Sequence, residues 1–219
     1  MERGELSPTN AACVDVGKTA VFFVNGNIGA GKTTLLNALR EEKNVVCVEE
    51  AVDEWQQTGL LTKAYEDPTQ YVFALQMMTL LTMVDRISKA VKCGEGHTIV
   101  VERSPEVNRN VFKRHAVENG DIDGSMEPVY ERMYGLLVEP LLRDVSITNV
   151  YIRMPVEECE ARVKRRGRPG EEYITPQYLR RLHALHEELF DGREDVVVVN
   201  NNTDADITAI VHTITKKSL

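Results

Sequence analysis

Three sets of residues in this 219-residue chain have types and spacing that could do chemistry. The first is Gly26-Asn27-Ile28-Gly29-Ala30-Gly31-Lys32-Thr33-Thr34. Its first eight residues fit the spacing Gly-x-x-x-x-Gly-Lys-Thr. Glycines let a backbone curl until its N–H groups point at phosphate oxygens, and a helix N-terminus behind them adds partial positive charge. In that setting Lys32 reaches the β- and γ-phosphates of ATP or a similar triphosphate, and the Thr33 hydroxyl ligates Mg²⁺. Gly17-Lys18-Thr19 repeats the last three letters, but Ala12 stands where the first glycine should be and a strand-like run follows. It reads as an accident of composition.

The second set is acidic. Two apolar runs end in Glu49-Glu50 and in Glu102-Arg103. A carboxylate at the C-terminal end of a parallel strand faces the ligand crevice and can take a proton from an attacking hydroxyl. Its alternative is a solvated turn. The third set is basic: Arg162, Lys164, Arg165, Arg166 and Arg168 lie within seven residues. Alone this would be a solvated face. Behind a phosphate loop, guanidinium forks can offset the charge of a moving phosphoryl group, and Gly167 and Gly170 would let the segment close as a lid. His183 and His186 are three apart and read as a helix face rather than a metal pair. The chain lacks the Asn-Lys-x-Asp guanine reader of GTPases and the aspartate that ends the corresponding strand of motor ATPases.

These sets need a scaffold, and the hydrophobic pattern supplies one. Buried strands are expected at 19–26, 44–51, 97–104, 148–154 and 194–201, as short apolar runs. Helices are expected at 32–42, 67–92, 105–118, 125–144, 155–167, 175–192 and 204–217, with Pro140 a candidate kink in the fourth. Strands alternating with helices predict an α/β fold with a five-stranded parallel sheet and helices on both faces. Residues 1–18 read as a flexible arm, and 19–219 as one domain. Net charge is −8, which argues against a nucleic-acid partner and against attraction to an anionic membrane. No apolar run reaches the ~18 residues of a membrane span. Cys13, Cys47, Cys93 and Cys159 form no Cys-x-x-Cys, so free thiols in the cytoplasm are expected.

The motifs "GNIGAGKTT", "EEAVDEW", "ALQMMTLLTM", "VVERS", "ARVKRRGR" and "YLRRLHALHEEL" run in order over about 20–190. Together they resemble the deoxyribonucleoside kinases, the family of thymidine, deoxycytidine and deoxyguanosine kinases. The resemblance implies a P-loop NTPase fold, transfer of the ATP γ-phosphate to a deoxynucleoside 5′-hydroxyl, Mg²⁺ as cofactor, a small-molecule substrate and a homodimer. It makes Glu50 the base and Trp55 a wall of the base pocket, with Ala51 replacing the usual proline; Glu49 is the rival base. Gln76 would pair with the nucleobase and Met83 lie near it. Tyr65, paired with Glu171 or less favourably Glu172, would read the sugar 3′-hydroxyl. Glu102 resembles the Mg²⁺-linked carboxylate, Arg103 the arginine that steers the 5′-oxygen, and Phe112 the ring that stacks on the base. Arg162, Arg166 and Arg168 match the lid arginines. Asn108 stands where the family carries Asp or a small residue; it can donate and accept, so it leaves deoxycytidine and thymidine both open, with pyrimidines favoured. The rivals are a nucleoside monophosphate kinase and a non-catalytic nucleotide-binding subunit.

Overall fold

A computed structural model describes residues 19–94, 97–200 and 214. The expected arm at 1–18 and most of the expected last helix lie outside the described residues. Five strands, β1 (Thr19–Asn25), β2 (Val45–Val48), β3 (Thr98–Glu102), β4 (Val145–Arg153) and β5 (Val196–Asn200), form one parallel sheet in the order β2-β3-β1-β4-β5. β1 pairs with β3 on one side, Val24 opposite Glu102, and with β4 on the other, Asn25 opposite Tyr151. The chain leaves β1 for one side of the sheet and later returns to the other, so a crevice opens at the C-terminal ends of β1 and β3.

Period-two alternation assigns the two faces. Phe22, Val24, Val100, Val150 and Ile152 face α1 (Lys32–Leu39) and pack with its Leu35, Leu36 and Leu39. Each of these leucines is fully buried and contributes roughly 1.5–3 kcal/mol. Val21, Phe23, Ile99 and Val101 face the other way and pack with Met83 and Ile87 of a long helix.

Between β2 and that long helix lie two short helices that the periodicity did not reveal, α2 (Val52–Gln57) and α3 (Leu60–Glu66). Each is under two turns, too short for a helical repeat to show, and Gly59 at φ 70° breaks the chain between them. The long helix, α4 (Pro68–Cys93), starts where expected: Pro68 opens it and the Asp67 carboxylate accepts from Gln70 N.

The expected helix at 105–118 is not uniform. α5 (Pro105–Val107) passes into a π turn at Asn108–Lys113 before α6 (Arg114–Glu118). Ser104 caps its start by accepting from Val107 N. Then come α7 (Glu127–Leu142), α8 (Val156–Arg166), a 3₁₀ turn at Glu171–Tyr173 and α9 (Pro176–Phe190). β4 begins three residues before its expected start. Ser146 and Ile147 in that stretch are exposed, so it lacks the two-sided apolar signature of a covered strand. Among the described residues no helix is long and apolar enough to cross a membrane, and Cys47, Cys93 and Cys159 are free thiols.

Candidate active site

The loop after β1 curls as its glycines permit. Gly26 has φ 152°, Gly29 φ 83° and Gly31 φ 99°. A Cβ on Gly29 would stand 2.7 Å from the Cys159 carbonyl oxygen, so that position is closed to larger residues. Asn27 ties the loop to α9: its Nδ2 donates to Leu179 O at 2.9 Å and its Oδ1 accepts from Ile28 N at 2.8 Å. Ala30 is buried in the core beneath the loop. The Lys32 ammonium donates back to Gly26 O at 3.2 Å and Asn27 O at 3.0 Å. Burial holds its pKa below the usual lysine range, assisted by Arg103. An anion in the loop would restore the charge balance that burial removes.

The ends of β2 and β3 bring carboxylates to the same crevice. Thr33 Oγ1 donates to Glu102 Oε1 at 2.9 Å, which puts a hydroxyl and a carboxylate, two hard oxygen ligands, beside the phosphate loop; this donor set fits a Mg²⁺ ion. Glu50 and Arg103 are both nearly buried. Arg103 Nε lies 2.8 Å from Glu50 Oε1, and its Nη2 donates to Oε2 at 3.3 Å. The closer contact is poorly aligned as a hydrogen bond, so the hydrogen bond between the two is the one from Nη2. Burial pushes the Glu50 carboxyl up, against the pull of Arg103. Glu49, the rival base, turns to Arg40, with its backbone oxygen held by Arg86. Arg103 also lies 3.7 Å from the centre of the Phe112 ring.

One cleft of about 1160 Å³ joins these groups. Its walls include Ile28, Lys32, Thr33, Thr34, Glu50, Trp55, Tyr65, Gln76, Glu102, Arg103, Asn108 and Phe112, together with Arg162, Arg166, Arg168 and Glu171. Trp55 Nε1 donates to Thr82 Oγ1 at 3.3 Å, which fixes the ring. The π turn puts Asn108 and Phe112 on the cleft wall together; a widened turn of this kind marks functional sites. Burial raises the Tyr65 hydroxyl to about 12, so it stays a neutral donor.

Two sequence expectations meet a different geometry. Met83 is absent from the cleft wall; it is core, packed with Val21, Phe23 and Val101. Residue 83 lies seven positions, nearly two turns, beyond Gln76, and the nearer Thr79 lines the cleft instead. Glu171 is bonded to Arg166, with Nε at 3.1 Å, and to the Arg168 N–H at 3.4 Å, rather than to the Tyr65 hydroxyl. The two histidines occupy different environments. His186 is fully buried, stacked on Tyr151 with its Nδ1 2.7 Å from Leu182 O, and burial lowers it to about 3; His183 is partly exposed. Sequence reading also missed Tyr178 and Arg181, which reach the cleft from α9. Both lie in a stretch whose helical period is legible but whose outer face gives no sign of a ligand.

The match to known proteins spans almost the whole domain: residues 22–216 fit the model of the deoxynucleoside kinase family. The chain belongs to that family. This kinase is 34% identical over 188 residues to the thymidine kinase of Ictalurid herpesvirus 1, covering 80% of this chain and 76% of the viral protein. It is 32% identical over 177 residues to mitochondrial thymidine kinase 2 of Homo sapiens, covering 78% and 64%. It is 27% identical over 188 residues to deoxycytidine kinase 2 of Gallus gallus, covering 75% and 71%. The kinase transfers a phosphoryl group from ATP to deoxynucleosides.

Proposed function

We propose that the kinase phosphorylates the 5′-hydroxyl of pyrimidine deoxynucleosides, with Glu50 as general base. The observation that carries this reading is the buried Glu50–Arg103 pair set against the phosphate loop in one cleft. Glu50 accepts the hydroxyl proton as the oxygen attacks. Arg103 holds that oxygen and the incoming charge. Lys32 turns from its loop carbonyls to the phosphates, and Arg162, Arg166 and Arg168 close over them as a lid. Thr33 and Glu102 would hold Mg²⁺, which supplies electrostatic relief at the phosphate oxygens. Trp55, Gln76, Asn108 and Phe112 enclose the base, while Tyr65 and Glu171 meet the sugar.

Asn108 favours a base that carries an amino group. Its Nδ2 donates to the Tyr130 hydroxyl at 3.0 Å, and its buried Oδ1 has no protein partner. Gln76 Oε1 is likewise unpartnered. Two spare acceptors suit the exocyclic amine of deoxycytidine better than the carbonyl of thymidine, because an unpaired buried acceptor costs about 1–3 kcal/mol. Exposed Leu81 on α4 and Val129 and Leu136 on α7 offer an apolar face for the homodimer.

Coupled ADP-release kinetics with the four deoxynucleosides and with thymidine monophosphate test the reading. Turnover of deoxycytidine and thymidine supports it, and turnover of the monophosphate alone overturns it.

A further inference from the structure

We infer that Asn25 is a positioning residue for Arg103, governing the transfer step without touching either substrate; the inference rests on the role given to Arg103 above. Arg103 has a left-handed backbone, φ 67°, which it shares among described non-glycine residues only with Asn44. Side chains beyond Cβ disfavour that conformation, and it persists where the surroundings over-determine it.

The surroundings here are two hydrogen bonds that bracket the residue. Arg103 N donates to Val24 O at 2.9 Å. Ser104 N donates to Asn25 Oδ1 at 2.8 Å. Both peptide groups flanking the Arg103 Cα are therefore tied to the end of β1. The Asn25 amide is itself fixed, since its Nδ2 donates to Phe23 O at 3.2 Å and to Asn149 Oδ1 at 3.0 Å. One side chain thus joins β4, β1 and the exit of β3. Its orientation has a single solution: Ser104 N–H can only donate, so the atom it meets must be the amide oxygen.

Asn25 is fully buried, and Ser104 and Asn149 nearly so. The site is sealed from bulk solvent, so removing the amide takes away the fixed acceptor that Ser104 N–H meets. The peptide after Arg103 is then free to turn, φ can relax to an ordinary value, and the guanidinium leaves its place between Glu50 and Phe112. Asn25 ends the strand TAVFFVN directly after five apolar residues, Ala20 to Val24. A residue that merely filled space there would be apolar.

The test is a double-mutant cycle on the full chain: Asn25→Ala, Arg103→Ala and the pair together, measured by kcat, KM for ATP and melting temperature, with rates referred to the folded fraction. Asn25→Ser, whose hydroxyl stops one bond short of the Oδ1 position and so withdraws the acceptor from Ser104 N while keeping a polar group, carries the cycle with the same expected result if the alanine variant does not fold. The expected result is a kcat lowered about 10- to 100-fold by Asn25→Ala, with KM for ATP changed less than about twofold and no further loss in the Arg103→Ala background. A purely structural asparagine would lower the melting temperature and leave kcat alone, and that outcome overturns the inference. So does an equal loss of kcat in both backgrounds. If Arg103→Ala is slow but Asn25→Ala is not, only this inference falls; if Arg103→Ala keeps full turnover, the role of Arg103 falls with it.

Discussion

Arg103 reaches Glu50 from the neighbouring strand end, with Nε 2.8 Å from Oε1 and both side chains almost sealed from solvent. Burial raises the Glu50 pKa, and the guanidinium beside it draws that pKa back down in part. Substituting Glu50→Gln removes the proton acceptor but not the phosphate loop. Turnover should fall about 100-fold or more, while ATP affinity measured by calorimetry stays near wild type.

The same pair sets a pH dependence. Burial raises the Glu50 pKa, and Arg103 pulls it down. A base must be ionised to act, so activity is lost as pH falls through the folded-state pKa. The acid limb of kcat/KM should therefore lie above the ordinary glutamate range. Arg103→Gln, which removes the opposing charge, should move that limb to higher pH in the residual activity. A limb that stays put in this variant would separate Glu50 from the titration.

Base choice should respond to a residue placed behind the base pocket. Tyr130 is fully buried and engages the Asn108 amide nitrogen. Tyr130→Phe frees that amide to rotate and present either end. Competition between deoxycytidine and thymidine should shift toward thymidine by about 5- to 10-fold, the worth of one hydrogen bond. An unchanged ratio would remove Tyr130 from base selection.

The loop's backbone offers a test on stability. Gly29 has φ 83°, and an added Cβ would meet the Cys159 backbone oxygen at 2.7 Å. Both strain and clash oppose Gly29→Ala. A loss of about 2 kcal/mol would lower the melting temperature by about 4–8 °C in a protein of this size, and ATP should weaken as the loop opens. Thermal scans with and without ATP would show both effects.

The arginines of the cleft wall should matter more to the chemical step than to loading. Arg166→Ala breaks its pair with Glu171, and Arg168→Ala removes a positive charge that acts on Glu50. Each should lower kcat by about tenfold or more with a smaller change in KM for ATP, read in steady-state kinetics.

Sequence alone determined the phosphate loop, the alternation of strands and helices, and the ends of β2 and β3 where Glu50 and Glu102-Arg103 stand. These are local facts: glycine spacing and two-sided apolar runs report backbone form without reference to distant residues. It also carried the family, because six motifs kept their order. It could not show α2 or α3, which are shorter than the period that reveals a helix, nor the π turn at Asn108, where a single widened turn leaves composition unchanged. Nor could it place Met83 in the core or turn Glu171 to Arg166; both depend on which face of an element meets another. Only the tertiary structure decided that Asn25, 78 residues before Arg103 in the chain, holds the peptide behind it. Such a contact arises when parallel strands place distant residues side by side, and a buried N–H takes whatever acceptor the sheet brings within reach.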